Sequence, residues 1–290
     1  MTTDDVSPGE FWFYEKHVPT AGIMLKVGEL LACRRSRYQT IQLFDTADYG
    51  RVMTLDNLIM LTERDEFSYH EMLTHVPLLL HPQPRQVLVV GGGDGGVLRE
   101  VIKHGTVERA VQVEIDREVV DVCREFFPWA AETYDNPRVE LVIDDALKYI
   151  NTVRNEFDLV IVDSTDPVGP AIDLFGSPFY SDVYDALTAD GLMTCQIDSP
   201  FYGSRRIGMI MDTLRDIFHD AGLYLTQVPS YPSGVWGLGI ASKSRKNFHE
   251  PDKVRYDTLS GTLRYYNPDV HRGSFLLPEY LRRVVYRTGK

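Results

Sequence analysis

The chain has 290 residues, of which 43% are hydrophobic and 25% are charged, a composition typical of water-soluble globular proteins. Its formal net charge of −12 disfavours general binding to nucleic acid or to an anionic membrane surface, whereas a cationic small ligand is compatible with it. The chain lacks a secretory-type start and any run of about 18 apolar residues, so the sequence predicts a cytoplasmic protein.

Cysteine and histidine spacing indicates neither a disulfide framework nor a metal site. Cys33, Cys123 and Cys195 are odd in number and far apart in sequence, so we expect buried structural thiols. His70 and His75 are five residues apart and lack the H-E-x-x-H spacing that places two ligands on one helix face. The sequence therefore predicts no bound metal.

The first part of the chain has the pattern of antiparallel hairpins. Between about residues 11 and 61, β-rich runs such as residues 38–44 alternate with turn residues. We therefore predict a small N-terminal antiparallel β domain over residues 1–62. Residues 64–80 follow as a mostly amphipathic helix, which the prolines at positions 82 and 84 end.

Residues 63–290 are predicted to form a second domain, in which apolar strands alternate with helical segments. An aliphatic strand over residues 86–90 leads into a glycine-rich loop and a helix over residues 97–104. Further strands are predicted near residues 109–115, 139–143, 157–162, 191–197, 222–228 and 235–241. This alternation predicts an α/β fold with a mostly parallel, doubly wound sheet covered by helices on both faces. We expect the C-terminal tail to dock on this body.

A nucleoside site is indicated where the predicted strands end. Gly91, Gly93 and Gly96 form a G-x-G-x-x-G pattern between a strand and a helix, which lets a ligand approach the helix N-terminus. Glu114 ends the next strand, where a carboxylate accepts hydrogen bonds from ribose hydroxyls. Asp145 follows the third strand and can accept from an adenine amino group. Together these residues predict an adenosine ligand.

Asp94 indicates which kind of adenosine ligand fits. It lies inside the glycine loop, where the pyrophosphate of a dinucleotide would pass. Two like charges about 4 Å apart repel by roughly 4 kcal/mol at an effective dielectric constant near 20. The same repulsion disfavours the carboxylate of S-adenosylmethionine. A sulfonium ligand with a cationic tail, decarboxylated S-adenosylmethionine, therefore fits best.

Two further acids stand at the end of the fourth predicted strand. Asp163 and Asp166 lie at a turn with two prolines, at the strand end where open α/β sheets bind their ligands. Each is alternatively an Asx-turn residue that caps the loop. As ligand-binding residues, these two acids and Asp94 would surround a polycation with carboxylates.

In these motifs the sequence resembles the polyamine aminopropyltransferases, the spermidine synthase family, and most of all their bacterial members. The shared segments are residues 62–72, 91–100, 114–116, 163–170, 231–234 and 264–268. The resemblance covers essentially the whole chain. It implies a methyltransferase-like sheet, an N-terminal β domain and a homodimer or homotetramer.

The resemblance also implies a reaction. The aminopropyl group of decarboxylated S-adenosylmethionine passes to putrescine by in-line displacement, which gives spermidine and methylthioadenosine. The leaving group is a neutral thioether, so the reaction needs neither a metal nor a resident cofactor, and the sulfonium compound is a co-substrate. His70 stands where many members have Gln, so agmatine, cadaverine and spermidine remain alternative acceptors. A small-molecule methyltransferase and a non-catalytic polyamine-binding protein are the competing classes.

Residue by residue, the resemblance implies that Asp163 is the proton acceptor. An unperturbed Asp has a pKa of about 3.9, so we expect Asp163 to receive the proton once desolvation has lowered the pKa of the attacking amine. The implied contacts to the amine and aminopropyl groups are Tyr69, His70, Asp94, Ser164, Thr165, Asp166, Gln196 and Tyr231. The implied nucleoside contacts are Gln39, Glu114, Asp145, Ala146 and Pro170.

Overall fold

Six antiparallel strands form the N-terminal part of the structure, a computed structural model that describes residues 10–165 and 169–286, with residues 169–171 described by their backbone alone. The strands are β1 (Phe11–Val18), β2 (Ala21–Val27), β3 (Glu29–Arg35), β4 (Thr40–Thr46), β5 (Gly50–Leu55) and β6 (Leu58–Thr62). β1 and β2 form a hairpin, and β3 to β6 form a four-stranded sheet in chain order. Asp56 and Asn57, both with positive φ, make the tight turn between β5 and β6.

A seven-stranded sheet forms the body of the molecule. Its strands are β7 (Gln86–Gly91), β8 (Arg109–Glu114), β9 (Val139–Ile143), β10 (Phe157–Asp163), β11 (Leu187–Asp198), β12 (Asp220–Gln227) and β13 (Val235–Ser242). They lie in the order β12-β13-β11-β10-β7-β8-β9. The neighbours from β11 to β9 pair in parallel, whereas β13 is antiparallel to both β11 and β12.

Helices cover both faces of this sheet. They are α1 (Glu66–Leu80), α2 (Gly96–Ile102), α3 (Arg117–Phe126), α4 (Pro128–Tyr134), α5 (Ala146–Asn151), α6 (Ser177–Ala186), α7 (Ser204–Ile217), α8 (Lys253–Leu259), α9 (Pro268–Ser274) and α10 (Glu279–Val285). Because side chains alternate along a strand, Leu88 and Val90 face the core under α6 and α7, whereas Val87 and Val89 face the core under α1 and α2.

The α/β prediction is confirmed, and each predicted strand is present with its bounds shifted by at most a few residues. The prediction that Cys33 is buried is wrong, because β3 is an edge strand and the side chain of Cys33 lies on its exposed side. Cys123 and Cys195 are buried as predicted. The division between residues 62 and 63 stays a prediction. In the described parts of the chain, no helix is both long and apolar enough to cross a membrane.

The amphipathic pattern predicted for α1 is also wrong. Every residue of this helix except Phe67 is buried, because the sheet covers one side and the C-terminal tail covers the other. Arg255 of α8 donates hydrogen bonds to the carbonyl groups of Leu78 and His81 at the helix end. The polar residues of α1 are therefore core residues whose hydrogen bonds must be made inside the protein.

Glu71 of α1 fixes the tail to the body. Its Oε1 accepts a hydrogen bond from the backbone N–H of Arg264 at 2.8 Å, and its Oε2 accepts from the N–H groups of Tyr265 at 2.9 Å and Tyr266 at 2.7 Å. The carboxylate is buried. Three backbone donors thus depend on one side chain for their partner.

We expect Glu71→Gln to lower the free energy of unfolding by about 1–3 kcal/mol, because the amide NH₂ would face backbone N–H donors that it cannot satisfy. Urea denaturation followed by circular dichroism measures the change. Glu250→Gln removes an exposed acid of the same tail region and should change the free energy by less than about 0.5 kcal/mol. Equal effects of the two substitutions would contradict this role of Glu71.

Candidate active site

The candidate site lies where β7 and β10 run side by side. Gly91, the last residue of β7, pairs with Asp163, the last residue of β10. The chain leaves β7 toward β8 on one side, while β10 borders it on the other, so a crevice opens at the carboxyl ends of these two strands. A cavity of about 310 Å³ fills this crevice and extends to Met53 and Met60 of the N-terminal sheet.

Glycines form the floor of the cavity because side chains would not fit there. Gly91, Gly92 and Gly95 have φ values of 80°, 67° and 77°. A Cβ atom on Gly91 would lie 2.3 Å from the carbonyl oxygen of Asp163, and one on Gly93 would lie 3.1 Å from Oε2 of Glu114. The loop therefore passes close to both acids and leaves the cavity open.

Glu114 is buried at the end of β8. Its Oε1 accepts a hydrogen bond from the backbone N–H of Asp116 at 2.8 Å. Burial, reinforced by the negative charges of Asp116 and Asp163, raises the pKa of Glu114 to about 7 although backbone hydrogen bonds oppose the shift. Hydroxyl groups of a ligand would supply the hydrogen bonds that favour the ionised carboxylate.

Gln39 reaches the cavity from the N-terminal sheet. Its Nε2 donates to Oδ2 of Asp116 at 2.9 Å, and the hydroxyl of Ser36 donates to the same oxygen at 2.6 Å. Asp116 also caps α3 by accepting from the backbone N–H of Glu118. Asp116, which was not predicted as a site residue, joins Gln39 of the N-terminal part to Glu114 at the cavity wall.

Asp145 and Ala146 line the same part of the cavity, together with Ile115 and Leu147. Oδ1 of Asp145 accepts a hydrogen bond from the backbone N–H of Leu147 at 3.0 Å and caps α5. This cap fixes the carboxylate at the cavity wall. The second oxygen, Oδ2, is 3.8 Å from Nζ of Lys148.

Asp94 and Asp163 converge on the centre of the cavity. Oδ1 of Asp94 accepts a hydrogen bond from the backbone N–H of Gly96 at 2.6 Å, and Oδ1 of Asp163 accepts from the hydroxyl of Tyr69 at 2.7 Å. Within the described residues, the buried Oδ2 of Asp163 has no hydrogen-bond partner. Two carboxylates thus line the same cavity.

The environment of Asp163 moves its pKa away from the unperturbed value of about 3.9. Burial and the charge of Asp94 raise the pKa of Asp163 to about 6, although His70 and Tyr69 oppose the shift. An Asp with this pKa is a stronger base than a solvent-exposed one. It still carries its charge at pH 7.

His70 lies between two acids. Its Nδ1 is 2.6 Å from Oε2 of Glu66, and its Nε2 is 3.4 Å from Oδ1 of Asp94. Burial alone would lower the pKa of His70, but Asp94 and Glu66 together raise it to about 10. Arg99 in turn donates to Glu66 at 2.7 Å. The sequence analysis missed Glu66 and Arg99, although the i, i+4 spacing of Glu66 and His70 was a usable signal.

The same cluster has the donor types of a metal site. Ligand atoms of His70, Asp94 and Asp163 all lie within 4.8 Å of one another. A metal would need the neutral imidazole, whereas the two carboxylates that face His70 favour the imidazolium. The cluster therefore suits an organic cation better than a metal ion.

Gln196 and Tyr231 hold the walls of the cavity. Nε2 of Gln196 donates to the carbonyl oxygens of Ser164 at 3.0 Å and Thr165 at 3.2 Å, while Oε1 accepts from the indole N–H of Trp236 at 3.2 Å. The hydroxyl of Tyr231 donates to the carbonyl oxygen of Met60. Gln196 thus fixes the backbone that follows Asp163.

Most residues predicted for the site line this one cavity, and their roles stay predictions. Asp166 lies outside the described residues, and so does the side chain of Pro170. The predicted residues that line the cavity are Gln39, Tyr69, His70, Asp94, Glu114, Asp145, Ala146, Asp163, Ser164, Thr165, Gln196 and Tyr231. The sequence analysis missed Glu15, which reaches the cavity from β1, because an acid in an N-terminal strand carried no motif signal.

Known proteins resemble this chain along nearly its whole length. Residues 66–251 match the spermine/spermidine synthase domain, and residues 11–63 match the spermidine synthase tetramerisation domain. A polyamine aminopropyltransferase of Moorella thermoacetica is 43% identical over 275 residues, which cover 94% of this chain and 96% of the relative. One of Thermoanaerobacter pseudethanolicus is 42% identical over 276 residues, 95% of this chain and 98% of the relative.

Solved structures show the same fold. A spermidine synthase in complex with the transition-state analogue AdoDATO has a TM-score of 0.93 and 38% identity, with 96% of each chain covered. The spermidine synthase of Thermotoga maritima has a TM-score of 0.92 and 37% identity, with 97% of this chain and 96% of that chain covered.

The packing of Gly96 against His70 makes a testable prediction. A Cβ atom on Gly96 would lie 2.3 Å from Cε1 of His70. We expect Gly96→Ala to lower the free energy of unfolding by about 1–3 kcal/mol, because the ring must shift away from its two acids. Urea denaturation measures this change. Because Gly96 is the first residue of α2, helix propensity contributes little to this change.

Gly105→Ala is the matched control, since a Cβ atom there has no heavy atom within 4 Å. Its free energy of unfolding should stay within about 0.5 kcal/mol of the original protein. A stabilised Gly96→Ala variant would contradict the tight packing of His70.

Proposed function

Because the chain belongs to the spermine/spermidine synthase family and is a polyamine aminopropyltransferase, we propose that it transfers the aminopropyl group of decarboxylated S-adenosylmethionine to putrescine. The products are spermidine and methylthioadenosine. The observation that carries this proposal is the convergence of Asp94 and Asp163 on one cavity that Glu114 and Asp145 also line. The cavity thus combines a cation site with donors and acceptors suited to a nucleoside.

The proposed donor matches the distribution of charge in the cavity. Glu114 would accept from the ribose hydroxyls, and Asp145 and Ala146 would contact the adenine. Asp94 would hold the ammonium end of the aminopropyl group. The carboxylate of S-adenosylmethionine would instead meet Asp94, and this repulsion disfavours a methyltransferase reaction. A relative of this fold binds the transition-state analogue AdoDATO.

The proposed acceptor would enter from the aromatic side of the cavity. Tyr69, Tyr231 and Trp236 line this side, and their rings suit the methylene groups of a diamine. Tyr69 and Tyr231 are in ring contact, with centroids 5.8 Å apart. Glu15 lines the cavity as well, and its carboxylate, which accepts a hydrogen bond from the backbone N–H of Ile59, would face the distal ammonium of the acceptor. Agmatine, cadaverine and spermidine are the alternative acceptors.

The proposed step is a displacement at carbon. The lone pair of the primary amine attacks the aminopropyl carbon next to the sulfonium, the carbon–sulfur bond breaks, and its electrons pass to sulfur, which leaves as a neutral thioether. The attacking nitrogen gives one proton to Asp163. With Lys as a guide, the free amine of the acceptor is disfavoured at pH 7 by about 4.6 kcal/mol. Oδ2 of Asp163 would accept this proton while Tyr69 holds Oδ1.

We also propose that the enzyme is a homotetramer or a homodimer. Residues 11–63 match a domain named for tetramerisation. Phe11, Trp12, Tyr14, Met24 and Leu30 in this segment are exposed, and an apolar surface of this kind suits a contact between subunits. No nucleic-acid or membrane partner is proposed. The cytoplasmic location remains the prediction made from the sequence.

Asp163→Asn tests the proposed base. The amide keeps the shape of the side chain and loses the ability to accept a proton, so we expect kcat to fall by about 10²–10⁴-fold. Release of methylthioadenosine at saturating substrates measures kcat. Asp158→Asn is the matched control at the other end of β10, where the carboxylate binds backbone N–H groups of Arg85 and Gln86. Near-normal turnover of Asp163→Asn would contradict the proposal that Asp163 accepts the proton.

Asp94→Asn tests the choice of donor. Without the negative charge, binding of the decarboxylated compound should weaken and binding of S-adenosylmethionine should improve. We expect the ratio of their two inhibition or dissociation constants to change by at least tenfold, which corresponds to about 1.4 kcal/mol. Competition binding with both sulfonium compounds measures the ratio. A ratio equal to that of the original enzyme would contradict the proposal.

A further inference from the structure

The imidazole of His70 lies against the carboxylates of three residues, the ring of Tyr69 and the backbone of Gly96. Glu66 and Tyr69 come from α1, Asp94 comes from the loop after β7, and Asp163 comes from the end of β10. Arg99 of α2 donates a hydrogen bond to Glu66, which in turn contacts the imidazole ring. His70 itself is 2% exposed.

The geometry assigns hydrogens to both ring nitrogens. A carboxylate oxygen lies 2.6 Å from Nδ1 and another lies 3.4 Å from Nε2. A carboxylate only accepts hydrogen bonds, so each nitrogen interacts favourably only as an N–H donor, which is the imidazolium form. Without a ligand, His70 is therefore the cation beside Asp94.

Glu66 is held firmly in this arrangement. Nη1 of Arg99 donates to its Oε1 at 3.3 Å, and Nη2 donates to its Oε2 at 2.7 Å. Nε of Arg99 donates to Glu100 at 2.8 Å, and Glu100 also contacts His75 at 2.9 Å. The side chain that orients His70 is thus the inner end of a buried network between α1 and α2.

The proposed donor brings a second cation to the same carboxylate. Its ammonium group would occupy the space in front of Asp94, toward which Nε2–H of His70 is directed. Asp163 also faces this space, but an ammonium group has only N–H donors and repels the imidazolium, whereas a neutral Nε2 would accept a hydrogen bond from it. His70 should therefore lose its proton when the ammonium group binds.

We propose that Glu66, held by Arg99, is a positioning residue that keeps His70 as a stand-in cation for the substrate ammonium. When the donor binds, Nε2 of His70 loses its proton to the solvent and accepts a hydrogen bond from the ammonium, while Nδ1–H remains bonded to Glu66. This inference rests on the proposed donor. It explains how the charge of Asp94 is compensated by a neighbouring cation when no ligand is bound.

The exchange has a consequence for the product. Methylthioadenosine keeps the nucleoside and has no ammonium group, so it leaves the proton on His70 in place. After the aminopropyl group has left, a proton returns to His70 and again compensates Asp94. The enzyme should therefore release a proton when it binds the donor and none when it binds the nucleoside product, although both would contact Glu114 and Asp145.

The pH dependence follows in sign from this exchange. Asp94 and Glu66 raise the pKa of His70 to about 10, so the free enzyme carries the proton across the neutral range. The donor complex carries one proton fewer, so donor affinity should rise by up to tenfold between pH 8 and pH 9, a range in which an alkylamine with a pKa of about 10.4 still keeps its own proton. The affinity of methylthioadenosine should stay nearly constant between pH 8 and pH 9, where Glu114 and Asp163 are already ionised.

Calorimetric titration of the intact enzyme at pH 8, in buffers of different ionisation enthalpy, counts the protons released on binding. We expect about one proton per site with decarboxylated S-adenosylmethionine and about none with methylthioadenosine. His70→Gln should abolish the release. Glu66→Gln should reduce it clearly, because His70 then loses one of the two acids that hold its proton.

Glu71→Gln is the matched control, since Glu71 is buried on the same helix and binds the tail instead of His70. Its proton release should equal that of the original enzyme despite its lower stability. If Glu66→Gln does not fold, the pH dependence of binding by the original enzyme still tests the exchange. The affinity for the donor should rise by up to tenfold between pH 8 and pH 9, whereas the affinity for methylthioadenosine should not.

Two results distinguish this inference from the function on which it rests. The proton exchange at His70 is wrong if the donor binds without proton release, or if the donor and methylthioadenosine release equal numbers of protons on binding. The identity of the proposed donor is then unaffected. Absence of donor binding overturns the proposed donor, and the exchange with it.

Discussion

The site depends on the parallel pairing of β7 with β10. Gly91 pairs with Asp163 at the last register position, and the backbone N–H of Gly92 donates to the carbonyl oxygen of Asp163 at 2.9 Å. This contact brings the glycine loop against Asp163 and leaves no room for a side chain on Gly91. Cavity-lining residues from distant parts of the sequence then meet at the carboxyl ends of these strands.

Burial of several carboxylates in one cavity is the second constraint. Isolated buried charges are costly, so each acid needs a compensating partner. Asp94 faces His70, Glu66 faces both His70 and Arg99, and Asp163 accepts from Tyr69. The free oxygen of Asp163 and the raised pKa of Glu114 show where compensation is incomplete within the described residues. A cationic nucleoside ligand would supply a partner for the Asp163 oxygen and hydrogen bonds for Glu114.

Local signals in the sequence were sufficient for the strands and for the acids Asp94, Glu114, Asp145 and Asp163, because strand hydrophobicity and strand-end acids can be recognised locally. The other predicted residues of the cavity lining came from the resemblance to a known family. Local signals were insufficient for α1, since a helix covered on both sides by distant segments has no single apolar face. Arg99 and Asp116 were missed for a related reason, since their partners Glu66 and Gln39 lie 33 and 77 residues away in sequence and only the folded chain brings them together. Glu66 also pairs with His70 at the i, i+4 spacing, a local signal that was not used.

The most direct test of the account is turnover by the purified enzyme with decarboxylated S-adenosylmethionine and each candidate amine in a separate reaction. We predict equimolar formation of methylthioadenosine and spermidine with putrescine, and no methylthioadenosine when the amine is omitted. Methyl transfer from S-adenosylmethionine, or no turnover with any of the four amines, would contradict the account.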